Sequence, residues 1–287
     1  MTDEFKNKTA VITGSSHGFG FEMARAFGSS GANIVVNSRS SDSVEAAITM
    51  LRKEGIQATG MAGDVSSLAD VELLEKHTLD RYGQYDVWIN NAGISGPYGP
   101  TAHTSIADFE QVIRTNIFGV YYGSTIAMRH FLYRKSGKLI NITGRGDRSP
   151  QPLQNAYASC KAWTRSFTLA LAKEYDDSSI GVYAFNPGMM VTGLTQDLKV
   201  IEGYETRLKA FDSILRMWAV SPSTSAQKAV WLASSATDGK TGLMVRQMSF
   251  FGMLTGSIRE LLRRISRQES PPIEIRIDTV PSAIRQS

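Results

Sequence analysis

Short apolar runs rich in β-branched residues alternate along this chain with longer stretches of helical period. The runs are K-T-A-V-I-T-G (8–14), N-I-V-V-N-S (33–38), A-T-G-M-A-G-D-V (58–65), D-V-W-I-N-N-A-G (86–93), G-K-L-I-N-I-T (137–143), I-G-V-Y-A-F (180–185) and G-L-M-V-R (242–246). Near-continuous apolar strands are those buried on both faces of a parallel sheet. Helical stretches at 21–31, 42–54, 68–82, 106–132, one bearing Tyr157 and Lys161, and 222–234 separate them. This alternation predicts an α/β fold: a Rossmann-type doubly wound parallel sheet of seven strands between two helical layers, α/β/α. The pattern runs through residues 1–247 as one domain, and 248–287 read as a C-terminal extension.

Two further stretches carry a pattern. Leu194, Leu198, Ile201, Tyr204, Leu208, Phe211 and Leu215 recur at helical spacing, which predicts a helix over 194–215, either a lid over an apolar substrate or a helix packed on the body. In the extension, Leu254, Ile258, Leu261, Leu262 and Ile265 form an apolar stripe with Arg259, Arg263, Arg264 and Arg267 around it. That is a helix expected to dock on its own body or on a partner subunit, with an anionic membrane surface as the alternative. Beyond Pro271 and Pro272, I-E-I-R-I alternates as an edge strand does.

Composition narrows the class. The 287 residues are 42% hydrophobic and 20% charged, values of an ordinary globular chain. The net charge of +4 is spread out and densest in the tail, so it makes no nucleic-acid groove. The single cysteine, Cys160, excludes an internal disulfide and a cysteine-built metal site and suits a reducing cytoplasm. No export signal and no apolar run of membrane-spanning length is evident.

The chemistry sits where strands end. After the first strand, Gly14, Gly18 and Gly20 let the backbone turn tightly and approach a pyrophosphate at the positive end of the next helix. The same glycines also suit a plain structural turn, and His17 in that turn either faces the phosphate or is solvated. The second strand ends in Ser38 and Arg39 with no acid that would bond both ribose hydroxyls of NAD. A guanidinium there can bond a 2′-phosphate, which favours NADP(H) over NAD(H), against the reading of a surface arginine. Asp64 and Val65 can meet an adenine edge and face, Ala92 and Gly93 leave room for a ribose, and Pro187 and Gly188 break the sixth strand near a bound cofactor. In A-Y-A-S-C-K-A (156–162), Tyr157 and Lys161 share one helix face, and the cation is expected to favour the phenolate.

T-G-S-S-H-G-F-G (13–20), Asp64, N-N-A-G (90–93), Asn116, Tyr157 with Lys161, and P-G-M-M-V-T (187–192), in this order, resemble the short-chain dehydrogenase/reductase family from about residue 6 to residue 247. The resemblance implies NADP(H)-dependent hydride transfer between nicotinamide and a carbonyl or secondary alcohol of an apolar small molecule. It implies that Tyr157 exchanges the proton and that Lys161 lowers its pKa and bonds the nicotinamide ribose. Asn116 would support a water relay, Thr192 would bond the carboxamide, and Arg39 the 2′-phosphate. The implied cofactor contacts are Gly14, Ser16, His17, Gly18, Phe19, Gly20, Ser38, Arg39, Asp64, Val65, Asn91, Ala92, Gly93, Tyr157, Lys161, Pro187, Gly188 and Thr192, with no metal. It further implies a homodimer or homotetramer.

One departure stands out. The family's usual serine lies thirteen residues before the tyrosine, where this chain has Gly144, and Thr143 offers a hydroxyl instead. If no hydroxyl reaches the substrate, a nucleotide-binding regulator or scaffold is the alternative. D-V-W-I-N-N-A-G, N-I-T-G-R-G, P-G-M-M-V-T and the basic tail are also similar to the chlorophyll b reductase branch, which would act on a pigment at a membrane surface.

Overall fold

The computed structural model of the chain describes residues 4–248, 250–266 and 273–284, with the backbone alone at 250, 251 and 264. Arg267, Pro271 and Pro272, like the side chain of Arg264, lie outside the described residues. The strands are β1 (Thr9–Ile12), β2 (Asn33–Ser38), β3 (Ala58–Ala62), β4 (Val87–Asn90), β5 (Gly137–Ile142), β6 (Ile180–Asn186), β7 (Asp197–Ile201), β8 (Met244–Arg246) and β9 (Arg276–Val280). Seven of them form one parallel sheet in the order β3-β2-β1-β4-β5-β6-β8, while β7 and β9 pair by themselves.

The side-chain period of two sorts each strand between two cores. Ala10, Ile12, Ile34, Val36, Ile89, Ile140 and Phe185 face one layer, made by α1 (Gly18–Ser29), α2 (Ser41–Lys53) and α9 (Pro222–Ala233). Val11, Val35, Trp88, Leu139 and Val182 face the other, made by α3 (Leu68–Tyr82), α5 (Gly119–Arg134) and α6 (Asn155–Glu174). Each fully buried side chain of this size contributes about 1.5–3 kcal/mol, so a one-residue register slip would invert both cores at once. All the sheet's carboxyl ends therefore open on one edge, where ligands of such sheets bind.

Three predicted elements differ. The stretch 106–132 is not one helix: α4 (Ile106–Ile113) passes into a π-helical turn, Arg114–Phe118, before α5 begins. Such a turn inserts one extra residue into the helical period, and here it carries Asn116. The stretch 194–215 is not one helix either. It divides into a single turn α7 (Gly193–Gln196), strand β7, a 3-10 turn at Glu205–Leu208 and α8 (Phe211–Trp218). Leu198, Val200 and Ile201 are buried while Asp197 and Lys199 are exposed, an alternation that suits a strand, and Gly203 at φ +87° ends it. The third run stops at Ala62, so Asp64 and Val65 lie in the loop beyond.

The tail folds back on the body in two pieces. Helix α10 (Phe250–Ile265) crosses α8, and β9, which shares only Arg276 and Ile277 with the I-E-I-R-I stretch expected to be a strand, runs parallel to β7 from Asp197↔Arg276 to Ile201↔Val280. The docking face of α10 is not the apolar stripe. Leu254, Ile258, Leu261, Leu262 and Ile265 all point outward, 47–70% exposed, whereas Gly256 and Glu260 are buried. A Cβ on Gly256 would stand 2.0 Å from the Met217 carbonyl oxygen, and Trp218 Nε1 donates to Ser257 Oγ at 3.2 Å. Small residues thus let the two backbones meet and leave the large apolar ones outside.

Candidate active site

The glycine turn after β1 is built by close approach. Gly14 (φ +61°) lies so near the β4 loop that a Cβ would come within 2.8 Å of Ala92 Cα, and one on Gly20 would come within 2.2 Å of the Gly14 carbonyl oxygen. Asn91 Nδ2 donates to the carbonyls of Thr13 and Gly14 at 2.9 and 3.0 Å, and the N–H groups of Asn91 and Ala92 donate to Thr13 Oγ1. Thr192, ahead of α7, closes over Gly18, where a Cβ would lie 3.8 Å from the threonine Cβ. His17 precedes α1 without a side-chain cap, so the first-turn N–H groups at Gly18, Phe19 and Gly20 are left for an anion. The fit of a pyrophosphate to this turn rests on that uncapped cradle. The side chain of Phe19 is buried against Phe185, so only its backbone can face a ligand, while exposed His17 bonds Ser16 Oγ at 3.0 Å.

Arg39 is exposed at the end of β2 and forms no ion pair among the described residues, beside half-buried Ser38. Asp64 accepts from the Ser66 N–H at 2.8 Å, and buried Val65 packs on Gly119. Asn116 is wholly buried and spends its side chain on one residue: Nδ2 donates to the Ile94 carbonyl at 2.8 Å and Oδ1 accepts from its N–H at 2.9 Å. The extra residue of the π turn presents it to that loop. Gly93 fits between Asn116 and Lys161, a Cβ there falling 3.1 Å from Asn116 Oδ1 and 3.7 Å from Lys161 Nζ.

Tyr157 and Lys161 lie one turn apart near the start of α6. Lys161 is 4% exposed, donates to the Ile142 carbonyl at 2.9 Å and holds Nζ 5.5 Å from the Tyr157 ring centroid. Burial pushes its pKa down to about 8, with Cys160 and Asp147 pulling the other way. Burial likewise pushes the Tyr157 phenol well above its ordinary range, and Asp147 and Cys160 add to the rise. The expectation that the lysine charge draws the phenol toward neutrality therefore meets a larger opposing effect, desolvation. Burial also raises the Cys160 thiol to about 11, Lys161 opposing.

The glycine in the usual place of serine lies directly against the phenol. A Cβ on Gly144 would stand 2.6 Å from Tyr157 Oη and 3.4 Å from its Cζ. Thr143 is buried, and its hydroxyl donates to Asp147 Oδ2 at 3.1 Å. Asp147 is 5% exposed and also accepts from Asn186 Nδ2 at 3.0 Å and from Arg246, a residue of β8, in a short ion pair. Asn186 Nδ2 further donates to the Gly144 carbonyl at 3.1 Å, and Asn186 Oδ1 accepts from the N–H of Gly188 (φ +81°). Sequence reasoning did not single out Asp147, Asn186 or Arg246. The available signals were a carboxylate inside the G-R-G-D turn and an arginine closing the last strand.

A wall rises beside the start of α6. Tyr98 bridges Val200 of β7, the Gly99 N–H donates to the Leu153 carbonyl at 2.8 Å, and Asn155 Nδ2 donates to Thr101 Oγ1 at 3.1 Å. The tail completes it: Arg276 pairs with Asp197 at 2.7 Å, Ser282 Oγ lies 2.9 Å from His103 Nδ1, and the Ala283 N–H donates to the His103 carbonyl. Among the described residues no cluster of histidine, cysteine or carboxylate side chains could hold a metal ion, and no helix is long and apolar enough to cross a membrane.

Comparison with known proteins follows the same outline. A family model described as short chain dehydrogenase matches residues 8–202. The chain is 36% identical over 244 residues to 3beta-hydroxysteroid dehydrogenase 1 of Eggerthella lenta, covering 84% of this chain and 92% of that protein. It is 34% identical over 206 residues to a probable chlorophyll(ide) b reductase of Oryza sativa subsp. japonica, covering 65% of this chain and 41% of that protein. Among solved structures it resembles a variant of actinorhodin polyketide ketoreductase with NADPH (TM-score 0.78, 27% identity, 88% and 98% coverage). It also resembles 3-ketoacyl-(acyl-carrier-protein) reductase from Brucella melitensis complexed with NADH (TM-score 0.74, 27% identity, 84% and 97% coverage).

Proposed function

The chain belongs to the short-chain dehydrogenase family, oxidoreductases acting on alcohol and carbonyl groups with a nicotinamide cofactor; we propose that this member uses NADP(H) on an apolar carbonyl compound or secondary alcohol. The observation that carries the reading is the half-buried Tyr157 beside buried Lys161 at the edge where the nucleotide cradle opens. When bound, the nicotinamide gives or takes the hydride. The proton is the protein's part. Tyr157 Oη donates to the carbonyl oxygen in reduction and takes the proton back in oxidation. Its raised pKa keeps Oη protonated, which suits the donor direction. Lys161 Nζ, anchored on the Ile142 carbonyl, would supply a cation to the nicotinamide ribose. Asn116 holds the loop at Ile94, so any relay through it falls to its backbone carbonyl. Thr143 keeps an oxygen able to accept, its own proton being engaged with Asp147.

Tyr157→Phe tests the reading. Turnover of NADPH with a panel of ketones and aldehydes is expected to fall by about 10²–10⁴-fold, while NADPH binding, followed by its fluorescence, is retained. No turnover by the wild type and no effect of the substitution would favour a nucleotide-binding scaffold instead. The NADP(H) preference is supported by unpaired Arg39 and the absence of an acid at the end of β2. Arg39→Ala is expected to weaken NADPH by roughly tenfold or more, the worth of a charge-assisted bond, and to leave NADH unchanged.

We read residues 1–247 as one nucleotide-binding domain and 248–287 as an extension, whose described helix α10 and strand β9 pack back upon it. The exposed rings of Phe118 and Tyr121, beside the stacked Trp163 and Phe167, support a homo-oligomer formed through α5 and α6. The outward stripe of α10 favours a second reading, a pigment-reducing enzyme at a membrane surface. Failure to float with anionic vesicles would remove it.

A further inference from the structure

Four segments distant in sequence meet behind the phenol. The turn after β5 supplies Thr143, Gly144 and Asp147, the end of β6 supplies Asn186, the end of β8 supplies Arg246, and α6 supplies Tyr157. The Asp147 carboxylate accepts from Thr143 and Asn186 on Oδ2 and from Arg246 on Oδ1, and its own N–H donates to the Gly144 carbonyl at 3.2 Å. Asn186 reinforces that carbonyl from the other side. The Gly144 backbone is therefore fixed from two directions, in the one place where there is no room for a side chain between it and Tyr157 Oη.

We propose that Asp147, clamped by Arg246, Asn186 and Thr143, is a positioning residue for Tyr157: it holds the Gly144 turn beneath the phenol hydroxyl and presents a negative charge to it. A plain structural ion pair would not need to be here. Burying a carboxylate is costly, and a pair of apolar side chains could tie the same strands together at no loss of stability. What the carboxylate adds is charge beside a proton carrier. The groups that bear on Tyr157 are Lys161 and Cys160 on its own helix, Asp147 across the turn, and Arg246 behind Asp147. Asp147 lies near enough to raise the phenol and also Lys161, and Arg246 bears on that carboxylate through their ion pair. The last strand of the sheet thereby takes part in setting the acid. The proposal rests on reading Tyr157 as the proton carrier.

The test uses the full chain labelled with 3,5-difluorotyrosine, whose ring fluorines make the phenol a stronger acid and bring its titration into a measurable range. The Tyr157 resonance is assigned with Tyr157→Phe and followed by fluorine NMR against pH, so no substrate is needed. Asp147→Asn is expected to move the Tyr157 midpoint down by about one pH unit, and Arg246→Met, which leaves the carboxylate uncompensated, to move it up. If either single variant fails to fold, Asp147→Asn with Arg246→Met carries the test, with a midpoint below wild type because the charge of the pair that acts on the phenol is gone. A Tyr157 midpoint that stays put in the folded variants would overturn the proposal. Absence of NADPH turnover in wild type would instead count against the oxidoreductase reading alone.

Discussion

Gly144→Ala is the most direct probe of the site. Gly144 is not among the glycines at positive φ, so an added methyl strains no backbone and acts by volume alone. The ideal Cβ stands 2.6 Å from Tyr157 Oη, where ordinary contact begins near 3.4 Å. The phenol must therefore retreat by about 0.8 Å, the difference of those two distances. The Gly144 backbone cannot yield in its place, because Asn186 and Asp147 both hold its carbonyl. A displacement of about 1 Å in a reacting group costs on the order of 10²-fold in rate, or about 2.7 kcal/mol of barrier. The expected result is a kcat lower by that factor, with NADPH binding unchanged and folded stability reduced by about 1 kcal/mol, the lower end for an overpacked methyl. Initial rates of NADPH oxidation with the best carbonyl substrate of a panel, fluorescence titration and thermal unfolding measure the three quantities. Gly144→Ser carries the same Cβ and is expected to be impaired as well, although it restores the hydroxyl found elsewhere in the family. A serine variant faster than wild type would refute this reasoning, for it would mean that the phenol has room and that the site lacks only a hydroxyl.

Three further outcomes follow from the geometry. Lys161 sits with its pKa lowered to about 8, so its charge is present below that pH and lost above it. Turnover is expected to decline as pH rises through about 8, and Lys161→Arg, which stays charged, is expected to abolish that decline even as it lowers kcat. A pH–rate profile distinguishes the two enzymes. In the tail, Gly256→Ala places a methyl 2.0 Å from the Met217 carbonyl oxygen and is expected to lift α10 from α8, seen as faster hydrogen exchange over 250–265. Leu261→Glu, on the outward stripe, is expected to change stability by no more than about 0.5 kcal/mol. A large stability loss in that variant would show that the stripe is covered in solution.

The sheet was legible because most of its strands are near-continuous apolar runs, and several of them close on glycine, asparagine or proline at the edge that carries the candidate site. Tyr157, Lys161, the glycine turn and Thr192 fall on one edge for that reason. Where the reading stopped, the deciding information was not local. Leu198 and Ile201 fit a helical spacing, and pairing with Tyr98 and with a strand beginning at position 276 holds 197–201 extended. The stripe on α10 was visible, but which face docks was settled by how closely Gly256 lets the helix approach α8. A π turn has no periodic signature of its own, so Asn116 was found and its setting was not. Asp147 shows nothing in sequence beyond a charge in a turn, since its partners arrive from three strand ends.

The pairing of β7 with β9 also has a consequence for synthesis. The nucleotide cradle draws on segments up to Thr192, so a chain emerging from the ribosome holds all its parts before the tail exists. The wall beside α6 cannot close until residues 276–283 have appeared and found β7 and His103. Loop-closure entropy grows slowly with the length of the intervening chain, so that late docking remains affordable. The glycine cradle and the wall are thus finished at different times, and a chain shortened at its end would lose the second while keeping the first.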